Sequence, residues 1–287
     1  MPGIRRPRRS LAALLCGVFL GLSACGPAKP SDPRPLVVVS VVPLQYVVDR
    51  LAGPRVRVAV LIPPGANPAS HAPSLADRQA MAEAALVVPV GHPDFPFERA
   101  WLGPMLAERP DLAVVSLHEA SSGERGDDPH EWTAPDRVVA LAARLAPALA
   151  QLLPAEASEL TGNLAAFQAE VADLEAFLEG TLEPFRGRRF FVFHPAWGHF
   201  ARAYGLEQLA IEHGHKEPGP ARLAERISAA RSAGARVLFV QPQFSPEAAR
   251  VVAGEIGARV ETLDPLAYDW PANLRHVAQR LAEGLAP

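Results

Sequence analysis

Five residues share one chemistry and one kind of position: His71, His92, His130, His194 and Asp264 each stand just past a short apolar run. In an open α/β sheet, ligands bind beyond the carboxyl ends of the strands, which is where these five side chains fall. A neutral imidazole offers a nitrogen lone pair and an ionised carboxylate offers oxygen. Three imidazoles with one carboxylate make a tetrahedral shell suited to Zn²⁺. A single histidine after a strand is ordinarily a hydrogen-bonded loop residue. Several drawn from both halves of the chain and facing one cleft point to a shared cation. Manganese or iron sites use more oxygen, so a third imidazole favours zinc.

The elements that must position them alternate. Residues 36–42, 56–62, 86–90 and 112–117 read as strands, with helices between them opened by Pro43 and by Ser74 with Asp77, a capping-box pair. After residue 184 the pattern repeats, with strands at 189–193, 206–211, 237–240 and 259–263. Unbroken apolar runs alternating with helices indicate parallel sheets. Between the two sets lies a long amphipathic stretch, residues 155–183, bracketed by Pro154 and Pro184. Leu160, Leu164, Phe167, Val171, Leu174, Leu178 and Leu182 fall on one helical face, and at about 1.5 Å per residue the helix spans roughly 43 Å. The expected fold is α/β: two lobes with mostly parallel sheets flanked by helices, joined by one long backbone helix. The expected domains are residues 36–153, the linking helix 154–184, and residues 185–287.

The N-terminus is of another kind. Arg5, Arg6, Arg8 and Arg9 precede an apolar run and then Leu22-Ser23-Ala24-Cys25. A basic start, a short apolar core and small residues before the cut make a secretory signal over residues 1–24. Cys25 after Leu-Ser-Ala resembles the bacterial lipobox, which implies a lipidated Cys25 as mature N-terminus and residues 25–35 as tether. Cys16 leaves with the signal, so no disulfide is expected. Loss of four arginines leaves 24 basic against 31 acidic residues, a net charge of −7. That disfavours nucleic acid and suits a protein that handles cations.

Asp128-Pro129-His130-Glu131-Trp132 resembles the Asp-Pro-His-x-Trp segment of the zinc- and manganese-binding solute receptors of bacterial ABC importers. Phe193-His194-Pro195-Ala196-Trp197-Gly198 is similar to their second-lobe histidine segment. Gln241-Pro242-Gln243-Phe244 and Asp264-Pro265-Leu266 match their late strand-end motifs. The resemblance covers nearly all of the mature chain. It implies His130, His194 and Asp264 as metal ligands, with a further histidine from the first-lobe loop. Here the chain departs from the pattern: the family places His directly after Pro, but Pro68 is followed by Ala69-Ser70-His71. In an extended loop Ala69 and His71 point the same way, so His71 is favoured for that place, with His92 as rival. Glu131 and Asp127 are candidates to orient His130, and Glu212 or Glu131 is a candidate oxygen ligand. His199 reads as cleft lining. His213 and His215 read as solvated loop residues or weak outer sites, and His276 as surface.

The expected function is capture of Zn²⁺ by a monomeric, lipid-anchored receptor at the periplasm or cell surface, for delivery to an ABC membrane permease. The alternatives are the same kind of receptor carrying Mn²⁺ or Fe²⁺, and a secreted zinc hydrolase. No His-Glu-x-x-His pair, nucleophile elbow, P-loop or dinucleotide turn is present, so no enzyme is expected.

Overall fold

The computed structural model describes residues 32–119, 128–212 and 220–286. Cys25, Asp127, His213 and His215 lie outside the described residues.

The first sheet is built from β1 (Leu36–Val39), β2 (Arg57–Val60), β3 (Leu86–Val88) and β4 (Ala113–Val114), all parallel, in the order β2-β1-β3-β4. The second uses β5 (Arg189–Val192), β6 (Glu207–Ala210), β7 (Val237–Val240) and β8 (Arg259–Thr262), again all parallel, in the order β6-β5-β7-β8. In both sheets the chain reverses its winding beside the first strand. That reversal opens a crevice at the carboxyl edge, where α/β sheets bind ligands. The nine helices among the described residues are α1 (Val42–Ala52), α2 (Leu75–Glu83), α3 (Gly103–Ala107), α4 (Pro135–Leu152), α5 (Ala157–Leu182), α6 (Gly198–Ala203), α7 (Pro220–Ser232), α8 (Pro246–Ile256) and α9 (Trp270–Leu285). The fold is thus two α/β lobes with parallel sheets, joined by the long helix α5.

Local chemistry accounts for several boundaries. Val39 ends β1 earlier than the apolar run suggests, because Pro43 in the first turn of α1 presets the helical φ. Ser74 and Asp77 exchange the two hydrogen bonds of a capping box at the start of α2. Paired strand at β4 is only two residues long, although Leu117 and His118 still donate to Pro89 and Val90 at 2.9 and 2.7 Å. A π turn, Glu98–Leu102, runs directly into α3. Glu98 is drawn inward, where its carboxylate accepts from Val90 N and Gly91 N at 2.7 Å each and from Ser40 Oγ.

Helix α5 buries Leu160, Phe167, Val171, Leu174, Leu178 and Leu182 between α1, α4 and α9. Its 26 residues span about 39 Å. One continuous hydrophobic core runs from Val37 and Leu86 in the first sheet, through α4, α5 and α9, to Phe190, Val192, Val237 and Phe239 in the second. The alternate residues Phe191, Phe193, Leu238 and Val240 point to the other face and join a smaller core under α8, as the two-residue period of a strand requires.

Two tryptophans tie the lobes at the cleft edge. Trp132 Nε1–H donates to Pro265 O at 2.7 Å, and Trp270 Nε1–H donates back to Trp132 O at 2.8 Å. Both rings are buried. Replacing Trp270 by Phe should leave a buried carbonyl unsatisfied and cost about 1–3 kcal/mol in urea unfolding. Trp132→Phe should cost a similar amount. Unchanged midpoints in both variants would show that these bonds do not hold the lobes.

Candidate metal centre

His130 reaches the cleft on a short, heavily bonded segment. Its backbone N–H donates to Asp128 Oδ1 at 3.0 Å, and its ring Nδ1 lies 2.7 Å from the same oxygen. His130 O accepts from Thr133 N and Thr133 Oγ1, which closes the turn Glu131–Thr133 behind it. Across the cleft, Gly198 begins α6 directly against Asp128 Oδ2, where any Cβ would collide with that oxygen. His199 Nε2–H donates to Asp128 O at 2.9 Å. Burial alone would raise the Asp128 carboxyl, but the hydrogen bonds it accepts from the His130 ring and backbone outweigh it. The group is held well below the usual carboxylate range. Among the described residues, Asp128 backs the His130 ring and the candidate Glu131 does not. Glu131 instead points to His118.

His194 follows β5 in the second lobe. Its Nδ1 lies 2.8 Å from Glu212 Oε2, its backbone carbonyl accepts from Gln241 Nε2 at 2.8 Å, and its ring stacks on Phe244 at 4.8 Å between centroids. Burial pushes the His194 imidazolium pKa down, and this outweighs the upward pull of Glu212. The shift favours the neutral ring, the form that has a lone pair to offer a cation.

The two rings meet with Nε2 facing Nε2 at 3.4 Å and an interplanar angle of 78°. Each Nδ1 proton is committed to a carboxylate, so in the neutral rings both Nε2 atoms are acceptors, and two acceptors cannot bond to each other. Zinc–imidazole bonds of about 2.0–2.1 Å place two ligand nitrogens of a tetrahedral shell about 3.4 Å apart. The spacing is that of an edge of such a shell, with the outer carboxylates arranged as zinc-bound histidines ordinarily have them.

The other expected donors are placed as follows. Asp264 Oδ1 accepts from Gln243 Nε2 at 2.8 Å and from Leu266 N at 2.9 Å. Gln243 and Leu266 line the cleft together with Asn67, Pro68, Ala69, Phe244 and both histidines. The extended backbone expected at residues 69–71 is not formed. Asn67 O accepts from Ser70 N and His71 N, and Asn67 Oδ1 accepts from Ala69 N, which coils the loop into a turn. Ala69 consequently faces the cleft. His71 stacks on Phe97 at 5.8 Å, its Nε2 buried without a hydrogen-bond partner. His92 packs against His118 inside the first lobe. The orienting roles of Asp128 and Glu212 are not assigned by sequence reasoning. For Asp128 the available signal was its spacing two residues before His130, which suits an Asx-type turn.

Two α/β lobes on a long helix, with paired imidazoles between them, define the class of metal-binding solute-binding proteins of ABC importers. The family model described as zinc-uptake complex component A, periplasmic, matches residues 37–284, and the chain belongs to this ZnuA family. The high-affinity zinc uptake protein ZnuA of Yersinia pestis is 30% identical over 266 residues, covering 80% of this chain and 82% of that protein. The zinc-binding lipoprotein AdcA of Streptococcus pneumoniae is 27% identical over 285 residues, covering 89% of this chain and 54% of its own length. The chain spans about half the length of several other curated relatives it matches. A crystal structure of ZnuA superposes with a TM-score of 0.81 at 35% identity, covering 88% of this chain and all of that one.

Two measurements check the electrostatic arrangement. Glu212→Gln keeps the shape but removes the charge behind His194, and should weaken Zn²⁺ binding by about 10–100-fold in competitive chelator titrations. Protons compete with the ion for the imidazole lone pairs, so Zn²⁺ affinity should fall as pH drops through about 6. An affinity constant from about pH 5 to 7.5 would count against histidine ligation.

Proposed function

We propose that this chain is the extracytoplasmic receptor of a zinc importer, which takes Zn²⁺ into the cleft and passes it to an ABC permease. The observation that carries this is the pair of buried, carboxylate-backed imidazoles whose acceptor nitrogens converge at 3.4 Å. Its family and the names of its relatives support zinc as cargo.

His130 and His194 supply nitrogen. Asp264 supplies its Oδ2, with Oδ1 held by Gln243 and Leu266 N. His71 joins the shell only if the turn at Asn67 unwinds, so most of the affinity rests on the other three. Export and lipid attachment at Cys25 follow from the N-terminal pattern, and the lipoprotein relative supports that reading. Among the described residues no helix is long and apolar enough to cross a membrane. The receptor acts as a monomer, and the shared core and tryptophan bonds limit closure to loop and small lobe shifts.

Elemental analysis of the purified chain should find bound zinc, and His130→Ala and His194→Ala should each weaken the tight ion by a hundredfold or more. His71→Ala should cost less than about tenfold. Ala69→His, which puts an imidazole on the cleft wall, should tighten binding. Retention of parental zinc affinity in both His130→Ala and His194→Ala would overturn the site. Tighter binding of Mn²⁺ than of Zn²⁺ would overturn the choice of cargo.

A further inference from the structure

The first lobe brings together a second set of donors that the cleft does not use. His92, His118 and Glu131 each offer one ligand atom, a ring nitrogen or a carboxylate oxygen, all within 4.8 Å of one another. Three separate segments deliver them. Gly91 turns the chain after β3 with φ +79, a conformation that favours glycine, and a Cβ there would stand 2.7 Å from Ser116 Cβ. Glu98 holds that turn by accepting from Val90 N and Gly91 N, and His92 is presented next in the chain. His118 extends the β4 edge by donating its N–H to Val90 O at 2.7 Å. Glu131 enters from the turn after His130. The rings of His92 and His118 meet edge to face with centroids 4.9 Å apart.

The carboxylate carries the stronger signal. Glu131 is 3% exposed. Its Oε1 lies 2.5 Å from His118 Nδ1, whereas its Oε2 is buried and makes no hydrogen bond. The nearby cation Arg137 holds Nη1 at 4.0 Å from Oε2, beyond hydrogen-bonding reach. A buried anionic oxygen without a donor is costly, and a cation held by this carboxylate and the two imidazoles lowers that cost. A plain His118–Glu131 hydrogen-bonded pair would account for Oε1 alone; it leaves Oε2 without a donor.

We infer that His92, His118 and Glu131 form a second divalent transition-metal site, inside the first lobe and separate from the cleft between the lobes. Two imidazoles and one carboxylate suit Zn²⁺ or a neighbouring first-row ion rather than Mg²⁺ or Ca²⁺, and they leave a fourth position for water. His92 lines a cavity of about 290 Å³ with Pro93, Arg99 and Ser116, which gives the ion a route to the ring. His92 Nδ1 accepts from Asp94 N at 3.1 Å. Ligation through this ring shifts its proton and disturbs that turn contact, so the site binds more weakly than the cleft and exchanges faster. The cleft pair is not shared: His130 Nε2 faces His194, whereas Glu131 pairs with His118.

The test titrates the zinc-free full chain with Zn²⁺ by calorimetry, and with Co²⁺ by visible absorption. The parent should take up a tight ion and a weaker one. His92→Ala with His118→Ala should abolish the weaker phase and keep the tight one. His194→Ala should abolish the tight phase and keep the weaker one. Glu131→Gln, close in shape to the parent, should weaken only the second phase by about tenfold or more, and guards against misfolding of the double variant. A parent that binds a single ion overturns the site, as does a weaker phase unchanged in both the double variant and Glu131→Gln. Loss of the tight phase in His194→Ala is scored separately, so failure of the cleft reading and failure of this one give different results.

Discussion

The structure depends on holding two imidazole acceptors face to face in a buried cleft. Nε2 of His130 and Nε2 of His194 stand 3.4 Å apart, and neither can satisfy the other. Such an arrangement persists only when the surroundings fix each ring. Asp128 and Glu212 do so through Nδ1, and the turn at Glu131–Thr133 and the Gln241 amide do so through the backbone carbonyls. The unfavourable meeting of lone pairs is what a cation reverses. Burial, which favours the neutral form of His194, serves the same end, since a protonated ring has no lone pair to give.

That constraint requires the lobes to keep their spacing, and the packing explains how they do. Helix α5 is not a bare connector, because its buried stripe is part of one core that reaches both sheets. Interior packing resists continuous deformation, so a core shared by both lobes opposes a wide hinge. The reciprocal bonds of Trp132 and Trp270 add direction to this, fixing the Asp264–Pro265 segment of one lobe against the His130 segment of the other. Gly198 contributes by leaving out a side chain, which lets Asp128 come close to α6. Site geometry and lobe geometry are therefore one problem solved by the same residues.

The sequence was most legible where periodicity is strong. The stripe from Leu160 to Leu182 and the alternation of apolar runs with helices specify the α/β class, and Ser74 with Asp77 specifies the start of α2. It was least legible where a long-range partner overrides local preference. Glu98, in the π turn after β3, accepts from the Val90 and Gly91 amides, a pairing that local spacing does not announce. Asn67 bonds to three following amides, so the loop coils and turns Ala69, not His71, toward the cleft. Glu131 looked like a support for His130 because it is adjacent in the chain. Adjacent residues on a tight turn diverge, and it serves His118 instead.

The sequence by itself determined the residue types and the order of elements: histidines and a carboxylate beyond apolar runs, two sets of strands, and a long helix between them. These depend on local spacing and on side-chain chemistry, which a linear reading contains. Only the tertiary structure decided which nitrogens face each other, which carboxylate stands behind each ring, and that His92, His118 and Glu131 converge. Those relations join residues far apart in the chain through distances of a few ångströms. They are fixed by how the two sheets and α5 pack, and that information is not carried by any one segment.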